Sequence, residues 1–167
     1  MTAGQGLFLV GFSLVLLGVI TFATVVVMDA ARSGSGSFLT ADFLRRFRRS
    51  SVERAELDRW AFYAHRVTGF AIFAFLLLHV VDVSIYSISK TRYDDVHELY
   101  SSLALRLFEC GLLFAILFHT CNGLRLLGVD LADLGVAKSR RILVGVVAVT
   151  TVLGVAGSII ILRPVLS

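Results

Sequence analysis

Four histidines occur in this chain, and two of them interrupt runs that are otherwise hydrocarbon. In "GFAIFAFLLLHVVD" (Gly69 to Asp82), His79 and Asp82 close an apolar stretch. In "AILFHTCNGLRLLGVD" (Ala115 to Asp130), His119 has Ala115 one turn before it and Asn122 and Gly123 one turn after, all on one helical face. His65 lies fourteen residues before His79, nearly four turns, so both project from one face about 21 Å apart with Gly69 on the same stripe. Imidazole can ligate a metal or carry a proton, and the small neighbours of His119 leave room for something flat and wide. A haem held axially through its iron is such an object. The same residues also permit a hydrogen-bonded packing histidine, close helix contact through the small residues, or a proton relay through His79, Asp82 and His119.

The elements that must position these groups are membrane-spanning. The chain has 167 residues, is 57% hydrophobic and carries one proline and thirteen phenylalanines, a profile that soluble domains do not reach. Two uncharged windows, Gly6 to Met28 and Ile142 to Leu162, hold 23 and 21 residues, and a helix needs about 20 to cross a bilayer core. Two more, roughly Trp60 to Ile88 and Leu103 to Val129, are interrupted by the ionisable groups just described. An ionisable side chain costs at least about 2.5 kcal/mol inside lipid, so it turns toward protein, a cofactor or water. The expected fold is an all-α transmembrane helix bundle. It divides into residues 1–57, comprising a helix, the Gly/Ser linker "ARSGSGS" and a basic interfacial segment, and a three-helix unit over 58–167.

The first span is read as retained rather than cleaved, because "MTAGQG" lacks a basic n-region and the apolar core exceeds signal-peptide length. Eight arginines from Arg32 to Arg66 and the set Arg125, Lys138, Arg140 and Arg141 flank the spans, whereas the intervening loop has only Lys90 and Arg92 beside Asp94, Asp95 and Glu98. The positive-inside rule puts the basic segments inside and both termini outside. It also accounts for the net charge of +4 without nucleic acid, and the run Arg45 to Arg49 reads as lipid-phosphate anchoring. Cys110 and Cys121 lie about 16 Å apart along one helix, too far for a disulfide. Asp82 and Glu109 read as caps, a structural pair or a proton path.

Counting from the helix ends sets His79 and His119 at different levels, about 8 Å apart along the membrane normal. Two histidines gripping one iron from opposite sides need the same depth, so these two favour separate sites, each completed from elsewhere. His97 falls in the outer loop and His65 near the inner surface. A partner subunit is implied.

"HRVTGF" at His65 to Phe70 and "HTCNGLRLLGVD" at His119 to Asp130 together resemble the two signatures of the cytochrome b membrane-anchor subunit of succinate dehydrogenase, over about Asp58 to Leu162. The resemblance implies a non-catalytic anchor, with no succinate site of its own, for an iron-sulfur subunit and a flavoprotein subunit. It would pass electrons to a quinone in respiration and the tricarboxylic acid cycle. By correspondence His119 and His79 are haem b axial ligands of the two-haem branch, each haem shared with a sister anchor subunit, while His65, Arg66 and Arg125 belong to the haem-propionate or quinone region. Two haems at different depths would couple quinone chemistry to membrane potential, at about 2.3 kcal/mol per charge per 100 mV, which points to menaquinone. The implied location is a bacterial cell membrane with cytoplasmic basic loops. Phe62 stands where the family's single-haem members carry a quinone-contacting serine, and Leu126 where an aromatic or histidine follows the arginine. The extra N-terminal helix is a third departure, expected to pack outside the anchor and cover an opening to the inner quinone site.

Overall fold

The computed structural model describes residues 2–30, 53–132 and 136–166. Its elements are α1 (Ala3–Ala30), α2 (Glu53–Ile88), α3 (Lys90–His97), a 3₁₀ turn (Glu98–Ser101), α4 (Leu103–Ala132) and α5 (Val136–Leu166). Among the described residues four helices are long and apolar enough to cross a membrane, over Gly4–Asp29, Asp58–Ile88, Leu103–Ala132 and Lys138–Val165. In lipid no water is available to satisfy backbone N–H and C=O groups, so uninterrupted helix is the solution such sequences adopt. The chain is therefore the all-α transmembrane bundle expected, three helices plus one. Ala31–Ser37 and Arg45–Arg49, read as linker and anchoring run, lie outside the described residues. Asp58, taken as the start of the three-helix unit, falls within α2, which runs unbroken from Glu53.

α4 is the spine. It packs most extensively on α5 and next on α2, while α1 packs chiefly on α2 and α3. The α4–α5 seam closes through glycine: a methyl at Gly154 would collide with the Phe114 ring, and one at Gly157 with the Leu113 side chain. Small residues at such seams let helices approach closely where no hydrophobic effect drives them together. At the start of α4, Ser102 is the N-cap, its extended backbone followed by a 3.5 Å bond from the Leu105 N–H to its hydroxyl.

The first turn of α1 carries a reciprocal capping box. The Thr2 N–H donates to Gln5 Oε1 at 3.0 Å and the Gln5 N–H to Thr2 Oγ1 at 3.3 Å. Gln5 then reaches across to donate from Nε2 to the Asp95 carbonyl at 3.0 Å, fastening α1 to the α2–α4 connection. Farther along, Phe22 of α1 stacks on Phe70 of α2 at 4.5 Å between ring centroids. α1 is thus antiparallel to α2. Arg106, near the start of α4, donates to the Ile161 carbonyl near the end of α5 at 2.9 Å. The start of α1, the α2–α4 connection and the end of α5 therefore share one face of the bundle, the terminal face. Both described chain ends lie there, and the opposite face is the basic one.

Among the described residues two small apolar clusters form the core. One, toward the basic face, joins Ala61, Phe118, Leu143 and Val146 of α2, α4 and α5; the other joins Phe8, Val96 and Leu105. Much of the remaining apolar surface is exposed, including Leu14, Leu77, Leu124 and Ile160, as suits helices whose surroundings are lipid or other subunits.

Candidate functional site

His65 of α2 and His119 of α4 meet face to face, ring centroids 3.9 Å apart and planes 5° from parallel. His119 Nδ1 lies 3.1 Å from the His65 carbonyl and 3.4 Å from Thr68 Oγ1. The Thr68 hydroxyl is itself committed to the Ala64 carbonyl at 2.8 Å. A carbonyl only accepts, so Nδ1 carries the proton and donates, which leaves the lone pair of the neutral ring on Nε2. That lone pair lies in the ring plane, where the stacked His65 does not cover it. Fixing one imidazole nitrogen on a backbone carbonyl so that the other can bind metal is the usual arrangement of a histidine ligand.

Helix contact at this point depends on Gly69. A Cβ there would stand 2.7 Å from His119 Cε1, closer than real contacts allow. Across the stack, His65 Nδ1 is buried and has no hydrogen-bond partner among the described residues. An imidazole with a free Nε2 and, beside it, an orphaned ring nitrogen fit a haem, whose macrocycle supplies four ligands and whose propionates supply acceptors. Among the described residues no three His, Cys, Asp or Glu side chains gather to hold an ion unaided; what the chain offers is single imidazoles.

His119 is level with His65, not partway to His79, so its separation from His79 is close to the full fourteen-residue rise, about 21 Å rather than 8 Å. A count that starts α2 near His65 makes this offset too small, because α2 begins at Glu53: His79 lies 26 residues from that end, and His119 lies 13 from the end of α4 at Ala132. His79 is exposed, its ring parallel to that of Phe75 at 5.7 Å.

Arg125 also differs from expectation. Its side chain is buried, with Nε donating to the Ser139 carbonyl at 3.2 Å, Nη1 to Asn122 Oδ1 at 3.0 Å, and Nη2 to Ser139 Oγ at 2.8 Å and to the Asp58 carboxylate. A guanidinium has five N–H donors, and four are already used within the chain. It ties α2, α4 and α5 together and has little left for a propionate. Arg66 is exposed and sits 5.5 Å over the Phe62 ring, a cation–π contact made by the residue that stands in the serine's place.

Sequence reasoning missed two features. The Thr2-x-x-Gln5 pattern is a visible capping box and announces a structured start to α1. Tyr100, from the connection, donates to Asp82 Oδ2 at 3.1 Å, a partner eighteen residues away on another element that no local pattern reveals. Cys110 and Cys121 are both free, as their spacing required.

A membrane-spanning helix bundle with imidazoles facing one another between helices defines the class as a multi-pass membrane protein with an internal histidine site. Residues 44–156 match the family "Succinate dehydrogenase/Fumarate reductase transmembrane subunit", and the chain belongs to it. It is 34% identical over 106 residues to "Succinate dehydrogenase 2 membrane subunit SdhC" of Mycobacterium tuberculosis, covering 62% of this chain and 78% of that one. It is also 34% identical over 99 residues to "Succinate dehydrogenase hydrophobic membrane anchor subunit" of Halobacterium salinarum, covering 56% and 76%. The chain is a succinate dehydrogenase membrane anchor subunit. α1 lies wholly outside the matched residues.

Proposed function

We propose that this anchor binds haem b and conducts electrons from an iron-sulfur subunit toward a quinone. The observation that carries the reading is the His119 Nδ1 bond to the His65 carbonyl, which leaves Nε2 as a ligand nitrogen in a fixed ring. His119 Nε2 would hold the haem from this chain, and a sister anchor subunit would supply the other protein ligand. His65 positions the His119 ring through its carbonyl and offers its own Nδ1 to a propionate. The bound haem would supply a one-electron carrier whose potential the chain tunes through ligand orientation, burial and nearby charge.

His79, exposed about 21 Å farther along α2, would hold a second haem, again together with the sister subunit. Two carriers at those depths span most of the bilayer, which supports menaquinone as acceptor near the far end. Arg66, exposed beside Phe62, belongs to the quinone region near the iron-sulfur subunit; Arg125 supports that region structurally. The Phe22–Phe70 stack lies one turn from Arg66, which supports α1 as a cover over an inner quinone opening. A flavoprotein subunit completes the complex. Its setting is a bacterial cell membrane, with the basic face cytoplasmic and both termini outside.

The cofactor-free proton relay loses its geometry. His119 is level with His65, about 25 Å along α2 from Asp82 by helix rise, and Asp82 bonds to Tyr100. The test is a reduced-minus-oxidised spectrum of membranes holding the complex. A b-type signal that falls by about half in His79→Ala and in His119→Ala is the expected result; a flat spectrum in the wild type removes the haem reading.

A further inference from the structure

Between α1 and the half of α2 nearer the terminal face lies a cavity of about 570 Å³. Its lining is almost wholly apolar, from Gly4, Phe8 and Gly11 on one side to Leu78 and Val96 on the other, and Asp82 also lines it. Asp82 is 5% exposed. Its Oδ2 accepts from Tyr100, while its Oδ1 is buried with no hydrogen-bond partner among the described residues. A buried carboxylate oxygen left unpaired is costly, and it stands at an apolar space large enough for a bicyclic ring with a short tail or for part of a lipid chain. Leu7 and Ile88, at the rim, are exposed on the outside of the bundle, so the approach is from the lipid phase.

The donor and acceptor inventory selects the ligand further. The Tyr100 hydrogen is already given to Asp82, and burial, followed by the Asp82 and Glu109 carboxylates, pushes the phenol's ionisation well above its ordinary range. Tyr100 therefore stays protonated, and with Asp82 as the carboxylate the pair presents acceptors alone. We infer that this cavity, walled on one side by the helix that lies outside the family match, binds a lipid-phase molecule with an apolar ring or chain and a hydroxyl group that donates to Asp82 Oδ1. A quinol and a lipid alcohol such as diacylglycerol share that chemistry. The quinol case rests on the quinone reading above; the cavity and its carboxylate do not.

The test uses the full chain with the subunits that accompany it, in reconstituted membranes, and three photoreactive diazirine probes: a short-chain menaquinol, the corresponding menaquinone and a diacylglycerol. The expected result is labelling of Gly4–Leu14 and Leu78–Ile88 by a hydroxyl-bearing probe, with menaquinone labelling more weakly. Asp82→Asn, which turns the free corner from acceptor to donor, should cut the label roughly tenfold, the equivalent of one charge-assisted hydrogen bond. Gly11→Leu should do the same by filling the space, because a Cβ at Gly11 meets only Leu78 at an ordinary 3.6 Å. Labelling by menaquinol alone identifies a quinol, by diacylglycerol alone a lipid alcohol, and by both the shared chemistry. Equal labelling by menaquinol and menaquinone, labelling confined to other segments, or a label that neither variant reduces overturns the inference. If Asp82→Asn does not assemble, Gly11→Leu decides. The haem spectrum of the same sample keeps the two readings apart: a b-type signal with an unlabelled cavity sinks only this one, and a flat spectrum sinks only the haem reading.

Discussion

At the basic face, Arg125 is enclosed by oxygen atoms from three helices, each of its bonds fixed within the chain. At the terminal face, Asp82 has one side-chain partner among the described residues, Tyr100, and an apolar space beside its other oxygen. Both are buried ionisable groups in a molecule of lipid-soluble helices, and both would be expensive if left bare. The first is satisfied internally and holds the three-helix unit together. The second is half satisfied and lies against α1, the helix outside the family match. A saturated charge is a structural element, and an unsaturated one marks a place for something else.

The largest effect that would sharpen this contrast comes from Arg125→Ala. Removing it strands Asp58 and opens the α2–α4–α5 junction; breaking a buried pair costs about 3 kcal/mol, toward the low end of the usual range because Asp58 is one-third exposed. Thermal unfolding of the purified complex should show the loss. A variant as stable as wild type would break the contrast, since Arg125 would then be no staple. Gly69→Ala comes next. Its methyl would drive the His119 ring out of place, an overpacking cost of about 2 kcal/mol, visible as loss or a shifted potential of one haem signal while the other is retained. The smallest change is Gln5→Ala, which removes the capping box and the Asp95 tie for about 1 kcal/mol. Protease sensitivity should rise in α1 alone, leaving the histidine stack untouched.

The four spans were legible because lipid imposes length and hydropathy on each helix separately. His119 was legible for a related reason: small residues at i−4, i+3 and i+4 around a polar group are a local pattern. What escaped depends on how the helices lie against one another. The pairing of His65 with His119 requires knowing how far α2 extends back past His65, and a helix that starts at Glu53 and continues through "DRWAFYAHRV" gives no apolar edge to count from. The fate of Arg125 turned on the carbonyl and hydroxyl of Ser139, beyond the turn into α5. Charge near a span end suggests surface anchoring, and only the neighbouring helix reveals an enclosed staple.

The Arg125 cluster also bears on how the chain enters a membrane. Its parts arrive in order, Asp58 with α2, Asn122 and Arg125 with α4, and Ser139 only with α5. An arginine inside the bilayer without partners costs about 2.5 to 3.5 kcal/mol on insertion scales, so α4 is poorly suited to leave the insertion machinery ahead of α5. The three matched helices should be released as a set once Ser139 is available. α1, with no charged group between Gly4 and Met28, can slip into lipid on its own as soon as it is made, and wait there for the others to arrive.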